Sequence, residues 1–184
     1  MVLLHSTMVP LGTPAVDFEL PGVDGNEYSI HNFSSYKVLV IIFMCNHCPY
    51  VKAVIQRLID LQREFLGKGV GFVGINCNDA IKYPDDSFES MRIVSKKWGI
   101  NFPYLFDESQ DVAKQYDAVC TPDIYVYGDK RKLLYRGRID DSWDNPDKVS
   151  RQDLKQAIDS ILSGKNISIK QIPSMGCSIK WKSA

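Results

Sequence analysis

The run from Lys37 to Met44, Lys-Val-Leu-Val-Ile-Ile-Phe-Met, breaks off at Cys45-Asn-His-Cys-Pro49, and a helical pattern begins directly after it. The run reads as a buried strand, centred on residues 38–43. Beyond it, apolar residues recur at 51, 54, 55, 58, 61 and 65, the spacing of one helix face, and Gly67 closes the helix near Leu66. Two thiols at such a junction are close enough for a disulfide, and the positive end of the helix favours a thiolate. This is the physical recipe for a redox-active cysteine pair.

The rest of the chain alternates strands and helices. Residues 13–20 and 28–30, joined by a Gly-rich turn, read as a hairpin. Residues 70–76 form a second buried strand, parallel to the first through a right-handed crossover. Residues 79–86 form a loop. Asp86 with Glu89 resembles a capping box for a helix that runs to Trp98 and stops at Gly99. A short strand at 104–106 and a short helix at 107–116 follow. Residues 123–127 and 132–136 form an antiparallel hairpin. A last helix, capped by Ser150 with Asp153, ends at Ser163-Gly164, and residues 164–184 form a tail. The order implies one α/β domain, its central mixed sheet flanked by helices. The core spans about residues 10–163, with an N-terminal β-hairpin in front and an inserted helix–strand segment in the middle.

The 184-residue chain has a formal net charge of zero and no basic block, which argues against nucleic acid and anionic membrane surfaces as partners. Its longest apolar run is too short to span a bilayer. The first ten residues carry no basic n-region, so no secretory signal is expected and the expected compartment is the cytoplasm. The odd count of five cysteines, 45, 48, 77, 120 and 177, is not a secreted disulfide framework. In a reducing compartment a close pair is catalytic, redox-sensing or metal-binding. A structural zinc site needs a second knuckle, which the isolated remaining cysteines do not supply. Redox chemistry is preferred to zinc and to a chance pair of buried thiols, and no metal or cofactor is called for.

Within the pair, Cys45 is expected just before the first helical turn, the more exposed thiol and the nucleophile. Cys48 is expected one turn inside, as the resolving thiol. Pro49 suits the first turn, where its missing N–H has no helical partner. His47, if protonated, favours the Cys45 thiolate; otherwise it is an exposed residue at a helix start. Thr121-Pro122 precedes the strand at 123–127, and Pro122 belongs at a turn or a strand's first residue, where a cis bond is a candidate.

The Cys45–Cys48 motif after the first core strand, Thr121-Pro122 before a later strand and the element order together resemble the thioredoxin superfamily. The opening at 12–18, the Asp24-Gly25 turn, the inserted helix and the stretch at 135–141 resemble its redoxin branch, which includes the alkyl hydroperoxide reductase/thiol-specific antioxidant proteins. The resemblance implies a thioredoxin-like fold, with Pro122 cis, facing the cysteines and helping to bind substrate backbone. It also implies a protein or small-molecule disulfide, or a peroxide, as substrate, and a thiol donor such as thioredoxin or glutathione. Several positions depart from the pattern. Met44 and Asn46-His47 replace the Trp and Gly-Pro of ordinary thioredoxins, and Leu39 replaces their buried acid, leaving Asp79, Glu89 or Asp107 as candidate proton acceptors. Cys48-Pro49 matches the Cys-Pro of peroxiredoxins, but Cys45 stands where they carry a hydroxyl and Ile41 where they carry a proline. Arg138 reads as an exposed strand-end residue rather than a thiolate partner.

The resulting expectation is a thiol–disulfide oxidoreductase using Cys45, Cys48, His47, Thr121 and Pro122. The alternatives are a thiol peroxidase and a non-catalytic binding module. Cys77 is expected buried and Cys120 lining the pocket. The tail can dock on the domain through Ile172, Ile179 and Trp181; Cys177 is a third redox thiol if it reaches the site, and otherwise a surface thiol on the docked tail.

Overall fold

The computed structural model describes residues 2–183. Its strands are β1 Leu3–His5, β2 Glu19–Pro21, β3 Glu27–Ser29, β4 Val38–Phe43, β5 Val70–Asn76, β6 Tyr104–Phe106, β7 Cys120–Thr121, β8 Asp123–Tyr127, β9 Leu133–Arg136 and β10 Met175–Ser178. Its helices are α1 Pro49–Glu64, α2 Phe88–Trp98, α3 Asp111–Gln115 and α4 Asp153–Leu162. Among these residues no helix is long and apolar enough to cross a membrane.

The main sheet has five strands in the order β6-β5-β4-β8-β9. β4 lies at its centre, parallel to β5 and antiparallel to β8. All six β4 residues are buried, because both faces of the strand are covered; the run is therefore continuously apolar rather than alternating. Val38, Val40 and Ile42 pack with α1, α4 and Met91 of α2. Leu39, Ile41 and Phe43 pack with Phe18, Leu20, Phe33 and α3. This is the α/β thioredoxin-like architecture, a mixed sheet between helical layers. Each fully buried aliphatic side chain in these layers contributes roughly 1.5–3 kcal/mol relative to its exposed state. Since β4 and α1 share the first layer, packing fixes the turn between them, and the two cysteines lie in that turn.

Several local details differ from the sequence expectations. The helix after β4 starts at Pro49, so Cys48 precedes it as the N-cap instead of lying one turn inside. The loop before α2 contains a single 3-10 turn at Pro84–Asp86, and Ser87, not Asp86, caps the helix by accepting from the Ser90 amide. α3 is shorter than residues 107–116. The buried Asp107 carboxylate accepts from the Ala113 amide, and Gln110 adopts φ 68° before the helix begins. Ser150 does not cap α4: its hydroxyl bonds Asp141, while Asp153 is held by Arg138 and Arg151.

The largest difference lies at the C-terminus. The tail contributes β10, which runs antiparallel between β1 and β7 in a three-stranded sheet. Cys177 pairs with Thr121 and Ser178 with Cys120. A Cβ on Gly176 would lie 1.9 Å from the Thr121 carbonyl oxygen, so only glycine lets the strand approach this closely.

Asp123, the residue after Pro122, is fully buried in an ion pair with Arg136 at 2.9 Å. The Arg136 guanidinium also lies 4.2 Å over the Tyr125 ring. This pair clamps the start of β8 to the end of β9 directly behind the Thr121-Pro122 turn. Asp123→Ala leaves a buried unpaired guanidinium and is expected to cost about 3–5 kcal/mol, measured by denaturant unfolding. A loss below about 1 kcal/mol would show that the pair behaves as a solvated one.

Candidate active site

The Cys45–Cys48 loop is held from outside by one carboxylate. Asp86, fully buried, accepts from the Asn46 amide at 2.7 Å through Oδ1. Its Oδ2 lies 2.5 Å from His47 Nδ1 and accepts from Asn78 Nδ2 at 2.7 Å. Burial works against its ionisation, but the hydrogen bonds from His47 and Asn78 outweigh that and hold the carboxyl below its ordinary range. Asn46 is fixed further by the Tyr104 hydroxyl, which donates to its Oδ1, and by its own donation to the Asp85 carbonyl. The His47 ring stacks on Tyr83 with centroids 5.5 Å apart. The acid beside the pair is therefore Asp86. Of the three candidates named from the sequence, Asp79 accepts from the amides of Ile81 and Lys82, Glu89 pairs with Arg92, and Asp107 turns the chain into α3.

On the inner side the pair meets Thr121. Cys45 Sγ is 3.3 Å from Thr121 Oγ1, and Cys48 Sγ is 3.1 Å from the Thr121 carbonyl oxygen, to which the protonated thiol donates. The Thr121–Pro122 peptide is cis. The structure thus brings Cys45, His47, Cys48, Thr121 and Pro122 into one cluster, as the sequence indicates. Their exposure differs from expectation. Cys45 is 1% exposed and Cys48 0%, so neither is the exposed member. Cys48 is the N-cap residue of α1, its sulfur on the side of the Val51 amide although it closes no full capping hydrogen bond, whereas Cys45 lies three residues earlier.

That placement separates the two thiols. The hydrogen bond from Cys45, the Thr121 side chain and the Val51 amide together outweigh burial and lower the Cys48 pKa to about 5. Cys45 is pushed well up, by its hydrogen bond to Cys48, by burial and by the Asp86 charge. Of the two thiols, Cys48 is the one whose ionised form the surroundings favour. Cys77 and Cys120 are buried and held protonated, first by burial. Cys120 lines the site behind Pro122, its Sγ 3.9 Å from the Pro122 carbonyl. Cys177 reaches the site, and its side chain hydrogen-bonds Cys48. None of the five cysteines is in a disulfide.

Cys45, His47 and Asp86 present donor atoms within 4.8 Å of one another. Because His47 and Asp86 already bond each other, a cation there would have to displace the proton they share. A cavity of about 430 Å³ opens on the far side of Pro122, with Tyr50, Trp143, Arg138, Ile172 and Met175 in its wall. The Tyr50 and Trp143 rings pack 4.3 Å apart there. Arg138 donates from Nε to Asp153 at 2.7 Å and is only a quarter exposed, less than a strand-end residue would be.

Residues 11–136 match the AhpC/TSA family. The chain belongs to the AhpC/TSA family. A search of curated protein sequences gives no match. An uncharacterized conserved protein from Geobacillus kaustophilus is 45% identical, with a TM-score of 0.95 over 100% of this chain and 98% of that one. A hypothetical protein from Sinorhizobium meliloti is 39% identical, with a TM-score of 0.94 over 98% and 99%. The fold extends to a putative protein disulfide isomerase from Bacteroides thetaiotaomicron, 17% identical, with a TM-score of 0.66 over 89% of this chain and 95% of that one.

In this AhpC/TSA protein the sequence did not single out Asp86 beside the cysteines, and it left open where the tail that forms β10 would sit. Asp86 followed by Glu89 carries the capping signal, and nothing local distinguishes a capping carboxylate from one turned inward.

The thiolate assignment predicts a titration. Thiolate ultraviolet absorbance should persist down to about pH 5, vanish in Cys48→Ser and move to higher pH in Cys45→Ala. Folding favours this thiolate, so its contribution to stability is complete above the roughly 8.5 of an unfolded cysteine and is lost as pH falls through about 5. Cys45, held protonated, acts in the opposite sense above that unfolded value. A wild-type absorbance step near the ordinary cysteine pKa would refute the assignment.

Proposed function

We propose that this protein is a thiol–disulfide oxidoreductase whose Cys45–Cys48 pair cycles between dithiol and disulfide, with Cys48 as the nucleophile and Cys45 as the resolving thiol. The observation that carries the reading is the Cys48 sulfur at the N-cap of α1, lowered to about 5 and hydrogen-bonded by the Cys45 thiol. This reverses the roles expected from the sequence, because the helix begins after Cys48 and not after Cys45.

The Cys48 thiolate attacks one sulfur of a substrate disulfide. The S–S bond breaks, the other substrate sulfur leaves as a thiolate, and a mixed disulfide stands on Cys48. Cys45 then loses its proton towards the adjacent His47–Asp86 dyad and attacks Cys48 Sγ, releasing the second substrate thiol. A thiol donor such as thioredoxin or glutathione returns the pair to the dithiol. That cycle suits a reducing compartment, and the cytoplasm is the proposed location. His47 is a positioning and proton-accepting residue in this scheme, and Thr121 holds both sulfurs in line. Pro122 forms the wall between the pair and the cavity lined by Tyr50 and Trp143, which is the proposed substrate site.

A second reading has its own support. The Cys48-Pro49 sequence with a sulfur-borne donor three residues earlier parallels the peroxide-reducing arrangement, with the Cys45 thiol in place of a hydroxyl. There the Cys48 thiolate attacks a peroxide oxygen, the O–O bond breaks, an alcohol or water leaves with a proton, and the sulfenic acid on Cys48 is resolved by Cys45 with loss of water.

Steady-state reduction of a small aromatic disulfide and of hydrogen peroxide, each with a thiol donor, separates the two. Cys48→Ser is expected to reduce disulfide turnover to background. Cys45→Ser should slow it by roughly tenfold or more, at least about 1.4 kcal/mol on the barrier. Undiminished disulfide turnover in Cys48→Ser would remove the first reading. Saturable peroxide consumption without disulfide turnover in the wild type would replace it with the second.

A further inference from the structure

The chemistry above uses two sulfurs, yet a third is built against them. β10 is not a loose tail. Ser6 and Ser174 exchange hydrogen bonds, each amide donating to the other residue, at 3.0 Å in both cases. The Ile179 amide donates to the Val119 carbonyl, and the Lys180 amide to Asn78 Oδ1 at 2.8 Å. Between these anchors, Gly176 crosses the Thr121 carbonyl at a distance that admits no side chain. That contact sets Cys177 opposite Thr121, the residue whose carbonyl and hydroxyl meet Cys48 and Cys45. The Cys177 side chain is 2% exposed and hydrogen-bonds Cys48. A surface thiol on a docked tail would satisfy none of these relations.

We propose that Cys177 is a third redox thiol of this site, exchanging disulfides with Cys48 inside one chain. The proposal rests on the reading of Cys48 as the site's reactive sulfur. Starting from the Cys45–Cys48 disulfide, the Cys177 sulfur attacks Cys48 Sγ. The Cys45–Cys48 bond breaks, a Cys48–Cys177 bond forms, and Cys45 leaves as a thiolate that takes up the proton lost by Cys177. The exchange is an isomerisation, with no net oxidation. Starting from a mixed disulfide on Cys48, the same attack releases the substrate as a thiol. In either case the product bonds the C-terminal strand covalently to the start of α1, and the oxidised protein is held at its C-terminus in a way the reduced protein is not.

The test uses the full chain. Wild type, Cys45→Ser and Cys45→Ser/Cys177→Ser are reduced, oxidised with diamide at low protein concentration and mapped by non-reducing peptide mass spectrometry. The expected result is a Cys48–Cys177 linked peptide in Cys45→Ser, with loss of both thiols, and its disappearance in the double variant. Oxidised wild type should carry the same linkage beside Cys45–Cys48, a readout that does not depend on whether the variants fold. Absence of the Cys48–Cys177 peptide from wild type and Cys45→Ser alike, or disulfides only between chains, overturns the proposal. Diamide makes this readout independent of the natural substrate. Disulfide turnover in wild type without the linkage removes this inference alone, and the linkage without turnover of either substrate removes the functional reading and keeps the third thiol.

Discussion

The buried Asp86 carboxylate organises the site, because the cysteine loop, the segment after β5 and the segment before α2 all meet on it. Taking a carboxylate out of water costs several kcal/mol unless hydrogen bonds replace its hydration. Here the replacements are the Asn46 amide, His47 Nδ1 and Asn78 Nδ2, charge-assisted bonds that are stronger than neutral ones. The carboxylate therefore stays ionised, and in doing so it fixes both residues between the cysteines. Leu39, on the strand where ordinary thioredoxins carry a buried acid, has become pure core, and the negative charge enters from the inserted segment before α2. The insertion supplies that charge to the cysteine loop.

A fixed negative charge next to two cysteines limits how they ionise. Cys45 lies nearer the Asp86 charge and away from the helix amides, so its thiolate is opposed both by Asp86 and by Cys48. Cys48, at the N-cap, has the Val51 amide, the Thr121 side chain and the Cys45 thiol on its side. The two effects push the pKa values apart, so one sulfur is a donor and the other an acceptor at neutral pH. Under the proposed function this asymmetry suits sequential attack by Cys48 and resolution by Cys45.

The architecture was largely legible in the sequence because its signals are local or strongly periodic. β4 and β5 are unbroken apolar runs, α1 has a clear face, Gly99 ends α2 in the left-handed region, and Pro122 marks the turn into β8. The cluster of Cys45, His47, Cys48, Thr121 and Pro122 followed from the same strand–turn–helix logic. What was not legible depends on contacts far apart in the chain. Pro49 reads as a first-turn residue, but only the packed helix reveals that Cys48 is its cap. Asp86 sits in a run that scores as a helix start, and its inward turn is decided by Asn46 and His47, some forty positions away. β10, Met-Gly-Cys-Ser, has neither alternation nor β-branched residues. It forms a strand because β1 and β7 flank it and because Gly176 fits against Thr121.

Asn78 links Asp86 and the C-terminal strand. Its Nδ2 donates to Asp86 while its Oδ1 accepts from the Lys180 amide, and the neighbouring Asp79 amide donates to the Lys180 carbonyl. One side chain thus connects the carboxylate that orients the cysteine loop to the strand that covers Thr121. An amide group satisfies both contacts only in one orientation, because its nitrogen must face the carboxylate and its oxygen the backbone N–H. The loop and the C-terminal strand are therefore coupled through a buried polar network in which loss of either contact leaves the other partner unsatisfied. The C-terminal strand beside Cys48 and the carboxylate beside Cys45 therefore belong to one hydrogen-bonded unit.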